Sequence, residues 1–114
     1  MATYRVTLLP GDGTGREVVE EVKRVLTVFQ EYGPISFEIN EIPCGGQHFL
    51  ETGEEWPAGS FEHCRDNTDA IIVGAVGWPG AKLPNGEIIS GVPAFITLWR
   101  QVPGFKGLAF LINL

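Results

Sequence analysis

Three glycines at alternate positions, Gly11, Gly13 and Gly15, stand in the run Leu8-Leu9-Pro10-Gly11-Asp12-Gly13-Thr14-Gly15-Arg16-Glu17, between an apolar stretch and a long helical pattern. Glycine lets a backbone take left-handed angles or approach a ligand closely, and a helix that begins beside such a turn offers free N–H groups to an anion or a cofactor phosphate. The spacing is G-x-G-x-G, with Arg16 where the dinucleotide fingerprint G-x-G-x-x-G has its third glycine. By itself it therefore fits a plain strand-to-helix turn as well as a phosphate site. Thr14 and Glu17 stand at the S/T-x-x-E spacing of a capping box, which predicts that they satisfy N–H groups of the first helical turn.

A second glycine cluster closes the near-continuous apolar run Thr68-Asp69-Ala70-Ile71-Ile72-Val73-Gly74-Ala75-Val76-Gly77-Trp78-Pro79. Continuous apolarity suits a central parallel strand covered on both faces. Ligands of open α/β sheets gather where such strands end, so this loop and the one after Leu9 are expected to face one crevice. The remaining reactive side chains carry less. His48 and His63 have no carboxylate or nucleophile partner in the pattern and read as structural or surface residues. Cys44 and Cys64 lack C-x-x-C spacing and read as reduced thiols, Cys64 as a small core residue sharing a helix face with Phe61.

Several elements must position these groups. Tyr4 to Leu9 reads as a first strand. A helix follows from about Gly15 to Tyr32, with Val18, Val22, Val25 and Phe29 as its apolar stripe and Val19 and Leu26 widening it. Glu20 and Arg24 are four apart in the favourable order on its polar side. Gly33 and Pro34 stop the helix, and Ile35 to Ile42 alternates as a half-buried strand. Gly45 to Gly53 is a short helix candidate, Ala58 to Asp66 another, and Ala70 to Gly74 the next strand. Gly80 to Pro93 has turn chemistry and reads as a loop or an excursion toward another subunit. Ala94 to Val102 is predicted as one short helix, and Leu108 to Asn113 as a fourth strand. Strands alternating with helices predict an α/β fold: three layers, a mainly parallel sheet and flanking helices.

The 114 residues allow one domain or a piece of one. A net charge of −6 argues against nucleic acid, whose phosphates want clustered Lys and Arg. No apolar run approaches a membrane span, and Met1 to Arg5 enters a strand at once, so neither a membrane anchor nor a signal peptide is expected. With two unpaired cysteines, this gives a cytoplasmic expectation.

The run L-L-P-G-D-G-T-G-R-E-V-V resembles the opening signature of the β-decarboxylating dehydrogenases, the isopropylmalate, isocitrate and tartrate/malate dehydrogenases. Gly45-Gly46 to Gly53 is similar to that family's G-G-x-A-I-D-x-x-G segment, with His48 and Phe49 as departures. Cys64-Arg65 to Pro79 resembles its C-R-x-x-D-A-I-x-x-G-A-V-G-x-P landmark. The G-A-V-G-W-P version and the later I-T-L-W look most like the tartrate/malate branch. Resemblance is strong over 4–79 and weak over 80–114. The chain thus looks like the N-terminal part of an isopropylmalate/isocitrate dehydrogenase-like domain, covering about a third of a typical member.

What the resemblance implies is an NAD-dependent, metal-dependent oxidoreductase that oxidatively decarboxylates a small 2-hydroxy acid, with Mg2+ or Mn2+ bound by residues outside this chain. It places Thr14 near the nicotinamide end of NAD and Gly74, Ala75, Val76 and Gly77 along the same cleft. On the substrate side it leaves Thr97 and Arg100, the latter also suited to a solvated helix end. No catalytic residue is assigned. The family's helix continues to a substrate-binding arginine, but Val102 to Gly107 breaks it here and Phe105 takes that position. The chain alone is accordingly expected to be inactive, and to associate with itself or with a missing C-terminal portion. The alternative is a non-catalytic remnant or small interaction domain that keeps the scaffold.

Overall fold

A computed structural model describes residues 2–75, 78 and 80–82. Six elements follow in the order β1 (Ala2–Leu9), α1 (Thr14–Tyr32), β2 (Ile35–Glu41), α2 (Gly46–Thr52), α3 (Ser60–Asp66) and β3 (Ala70–Val73). The three strands form one parallel sheet in the order β2-β1-β3. The α/β class and the parallel pairing expected from the sequence are present. Among the described residues the central strand is β1, and β3 pairs with it along Val6 to Leu9. The segments expected as the last helix and fourth strand, 94–102 and 108–113, lie outside the described residues.

Side chains alternate across a strand, so β1 and β3 feed two apolar layers, while β2 gives its apolar residues to one. On one face Val6, Leu8 and Val19 are buried, with Val22, Leu26, Phe37, Ile39 and Ile72 packed against them. On the other face Leu9, Ile42, Cys44, Cys64, Ile71 and Val73 form the core, with Trp56 and Phe61 against it. The sheet is therefore covered by α1 on one side and α3 on the other, and Cys64 is the small core residue its spacing predicts. Thr7 is also buried, and its hydroxyl meets that of Thr68 at 2.5 Å, so the polar pair is internally satisfied.

Two expectations about α1 are corrected. Its inward face is Gly15, Val19, Val22 and Leu26, while Val25 is 53% and Phe29 59% exposed, with Val28 and Tyr32 beside them in the open. The apolar side of α1 runs from Val28 through Val25, Phe29 and Val22 to Leu26 and Val19, wide enough that the sequence does not reveal which stripe of it the sheet will select; the close seating of Gly15 fixes the rotation. The expected Glu20–Arg24 pair is replaced by Glu20–Lys23 and Glu21–Arg24, three apart, and Lys23 also reaches Glu41 at the end of β2. α1 ends at Tyr32 before Gly33-Pro34, as expected. None of the helices among the described residues is long and apolar enough to cross a membrane.

Candidate functional site

The turn between β1 and α1 is shaped by its glycines. Gly13 is the N-cap of α1 with φ +51°, a region that a side chain would strain. Thr14 is then the first helical residue and not the cap, and no side chain caps this helix, so the expected capping box does not form. Cap bonds come from the backbone instead: the Gly15 N–H donates to the Asp12 carbonyl at 2.9 Å and that of Arg16 to Gly13 at 3.2 Å. The Thr14 residue is exposed at the first turn.

The two glycine clusters do meet. The Asp12 N–H donates to the Ala75 carbonyl at 2.6 Å, and the Gly74 N–H to the Leu9 carbonyl at 2.8 Å. A Cβ on Gly15 would stand 2.5 Å from the Ala75 nitrogen, and a Cβ on Gly74 would stand 3.0 Å from the Gly15 carbonyl. No side chain separates the start of α1 from the end of β3, so Thr14, Gly74 and Ala75 share one edge of the sheet. Val76, Gly77, Thr97 and Arg100 lie outside the described residues.

A third segment joins them through a residue that the sequence reading left without a role. Asp12 is buried, and its carboxylate accepts from the Gly46 N–H at 2.9 Å and the Gln47 N–H at 2.8 Å, the free donors at the start of α2. Gln47 returns the link, its side-chain oxygen accepting from the Gly13 N–H at 3.0 Å. A Cβ on Gly45 would fall within 2.6 Å of the Asp12 carboxylate, so a glycine is required to admit it. Trp78 stands over both turns, close to Gly13 and Gly46.

Below the turn, burial pushes the Cys44 thiol up to about 12, and the Gly11 backbone hydrogen bond opposes only part of that; Cys64 is pushed up to about 11 by burial. Both thiols are free, buried and held neutral, which leaves them no nucleophilic role. His63 meets the Asn40 amide at 2.9 Å, in keeping with a structural place. An open groove of about 600 Å³ lies between the β1–α1 turn, the start of α1 and the end of β2, lined by Pro10, Gly11, Arg16, Glu17, Glu20, Glu41 and Pro43. It adjoins the turn, but among the described residues neither Thr14 nor Gly74 nor Ala75 lines it, so the groove is separate from the edge those three share. Among the described residues no group of three His, Cys, Asp or Glu side chains could hold a metal ion.

The family model for isocitrate/isopropylmalate dehydrogenase matches residues 5–109. The chain belongs to that family. It is 35% identical over 116 residues to the 3-isopropylmalate dehydrogenase of a Nostoc species, an alignment covering 96% of this chain and 32% of that protein. It is 39% identical over 79 residues to the 3-isopropylmalate dehydrogenase of Aquifex aeolicus, covering 69% and 21%. Among solved structures it resembles the apo β-decarboxylating dehydrogenase of Thermococcus kodakarensis, with a TM-score of 0.52 and 37% identity over 71% of this chain and 23% of that one. The chain thus spans about a third or less of the length of these relatives.

Proposed function

We propose that this chain is the N-terminal part of an NAD-dependent, metal-dependent dehydrogenase that oxidatively decarboxylates a 2-hydroxy acid of the isopropylmalate, isocitrate, malate or tartrate class. The observation that carries this reading is the direct bonding of the glycine turn to the β3 loop, which puts Thr14, Gly74 and Ala75 on one edge. An edge made of glycine backbone and one small hydroxyl side chain fits the approach of a dinucleotide, and the first turn of α1 favours its negative charge. Val76 and Gly77 extend the cofactor side, and Thr97 and Arg100 are the substrate-side candidates. NAD would accept hydride, and a divalent metal on ligands outside the chain would polarise the substrate hydroxyl. This chain's own residues would position the cofactor. The setting is cytoplasmic, and packing of a second copy or a C-terminal portion against this chain is supported by the exposed Val25, Val28, Phe29 and Tyr32 of α1.

Amide NMR titration with NAD tests the crevice: shifts at Gly13, Thr14, Gly74 and Ala75 are expected, and unmoved amides at both segments refute it. The chain alone, given NAD, Mg2+ or Mn2+ and each of the four acids, is expected to show no turnover, since the groups that hold and activate substrate lie elsewhere. Metal-dependent turnover would overturn that expectation. Light scattering across a dilution series tests association, and a monomer at every concentration argues against self-pairing.

A further inference from the structure

Trp78 follows the β3 loop and is fixed at its base. A Cβ on Gly46 would stand 2.7 Å from the Trp78 Cβ and 3.1 Å from its nitrogen, while the Trp78 carbonyl accepts from the Ala81 N–H at 3.0 Å. Its ring extends to the α1 side, where Cζ3 lies 3.5 Å from the position of a Cβ on Gly13. Trp78 therefore bridges the start of α2, through its Cβ and backbone, and the start of α1, through its ring, and the residue is still 36% exposed. Trp56 offers a contrast, since it packs against the core on the α3 side.

A large aromatic side chain anchored at its base and partly open beside a glycine turn can offer a ring face on which a flat group stacks. The indole face carries the negative end of the ring quadrupole and attracts cations more strongly than the faces of Tyr or Phe. We propose that Trp78 is the stacking wall of the crevice and takes a planar cationic heteroaromatic ring, that of oxidised nicotinamide, in preference to an uncharged ring of the same size. This rests on the crevice being the dinucleotide site. The charge makes the selection: oxidised nicotinamide is a pyridinium, and addition of hydride removes its positive charge and its aromaticity. The wall accordingly holds the cofactor before hydride transfer more tightly than after it.

The test uses two small probes, 1-methylnicotinamide, which is cationic, and nicotinamide, which is neutral. Saturation-transfer NMR titrations with the unaltered chain are expected to give about two- to fivefold tighter binding of the cation. Trp78→Leu should abolish that preference. Trp78→Phe keeps the packing at the base and carries the test if the leucine variant fails to fold; its preference should fall below about twofold. Equal affinities for the two probes, a preference that survives in a folded Trp78→Leu or remains full in Trp78→Phe, or no transfer to either probe overturns the proposal. An NAD titration on the same samples separates the two readings. NAD-induced shifts at Gly13, Thr14, Gly74 and Ala75 with no Trp78-dependent preference leave the crevice standing and remove the wall. A Trp78-dependent preference without those shifts supports the ring site and removes the dinucleotide reading.

Discussion

Replacing Asp12 with alanine should cost this fold more than any change at an exposed charge, and the structure gives the size. The carboxylate accepts two backbone hydrogen bonds, at 2.9 Å from Gly46 and 2.8 Å from Gln47. Gly46 is buried, so its N–H would lose an ionic acceptor with little water to replace it, at about 2 kcal/mol. Gln47 is half-buried and water replaces part of its bond, which leaves about 1 kcal/mol. Asp12→Ala should therefore lose about 3 kcal/mol. Asp12→Asn keeps one acceptor but turns an NH2 toward the other N–H, and should lose about 1–2 kcal/mol. Urea denaturation monitored by far-UV circular dichroism measures both, and amide exchange at Gly46 and Gln47 should quicken before global unfolding. A loss below about 0.5 kcal/mol for Asp12→Ala, or a larger loss for asparagine than for alanine, would refute the account of this carboxylate as the cap of α2.

Other substitutions and conditions follow from the same geometry. Gly74→Ala should lower stability by about 1–3 kcal/mol, because its Cβ meets the backbone carbonyls of Pro10 and Gly15, which can retreat only if the β1–α1 turn and the start of α1 move; an unchanged urea midpoint would count against the backbone-to-backbone seat. Cys44 and Cys64 should resist a thiol reagent at pH 8 in the native state and react in urea, and labelling of the folded chain would contradict their burial. Their raised values also make stability fall as pH climbs from about 9, where unfolded thiols ionise, toward 11 and 12, where the folded ones do; Cys44→Ala should flatten that limb. Asp69 is held below the ordinary carboxylate value by the Arg5 side chain and then by its backbone N–H. Its contribution is present above that ordinary value and fades as pH falls through the lowered one, so Asp69→Asn should remove part of the acid-side loss, and an identical acid limb would refute the pairing.

Much of the fold was legible because punctuation and periodicity agreed. Gly33-Pro34 ended α1, Gly53 ended α2, and the alternation from Ile35 matched β2 to within a residue. The rotation of α1 was not legible, since Val18, Val22, Val25 and Phe29 form as good a stripe as Val19, Val22 and Leu26 until a sheet is present to choose. The capping box failed for a local reason: Gly13 adopts the cap position with an angle that Thr14 cannot share. Asp12 was the main omission. Its partners lie 34 and 35 residues away, beyond the reach of any spacing rule. One signal was available, because a short helix opening on Gly45-Gly46 has no side chain to satisfy its own N–H groups and must borrow an acceptor from elsewhere.

The position of β1 between two strands that come later in the chain has a consequence for synthesis. While the polypeptide emerges, the strand carrying Val6, Leu8 and Leu9 has two unpaired edges until β2 arrives and one until β3 does. At ~5–20 residues per second, ~3–13 s separate the appearance of Leu9 from that of Val73. Through that interval the most apolar end of β1 is a template for any passing strand, and α1, the next element made, covers only one of its faces. A chaperone that shields this short segment at the ribosome would act before the Gly74–Ala75 segment exists to bond to the turn at Asp12.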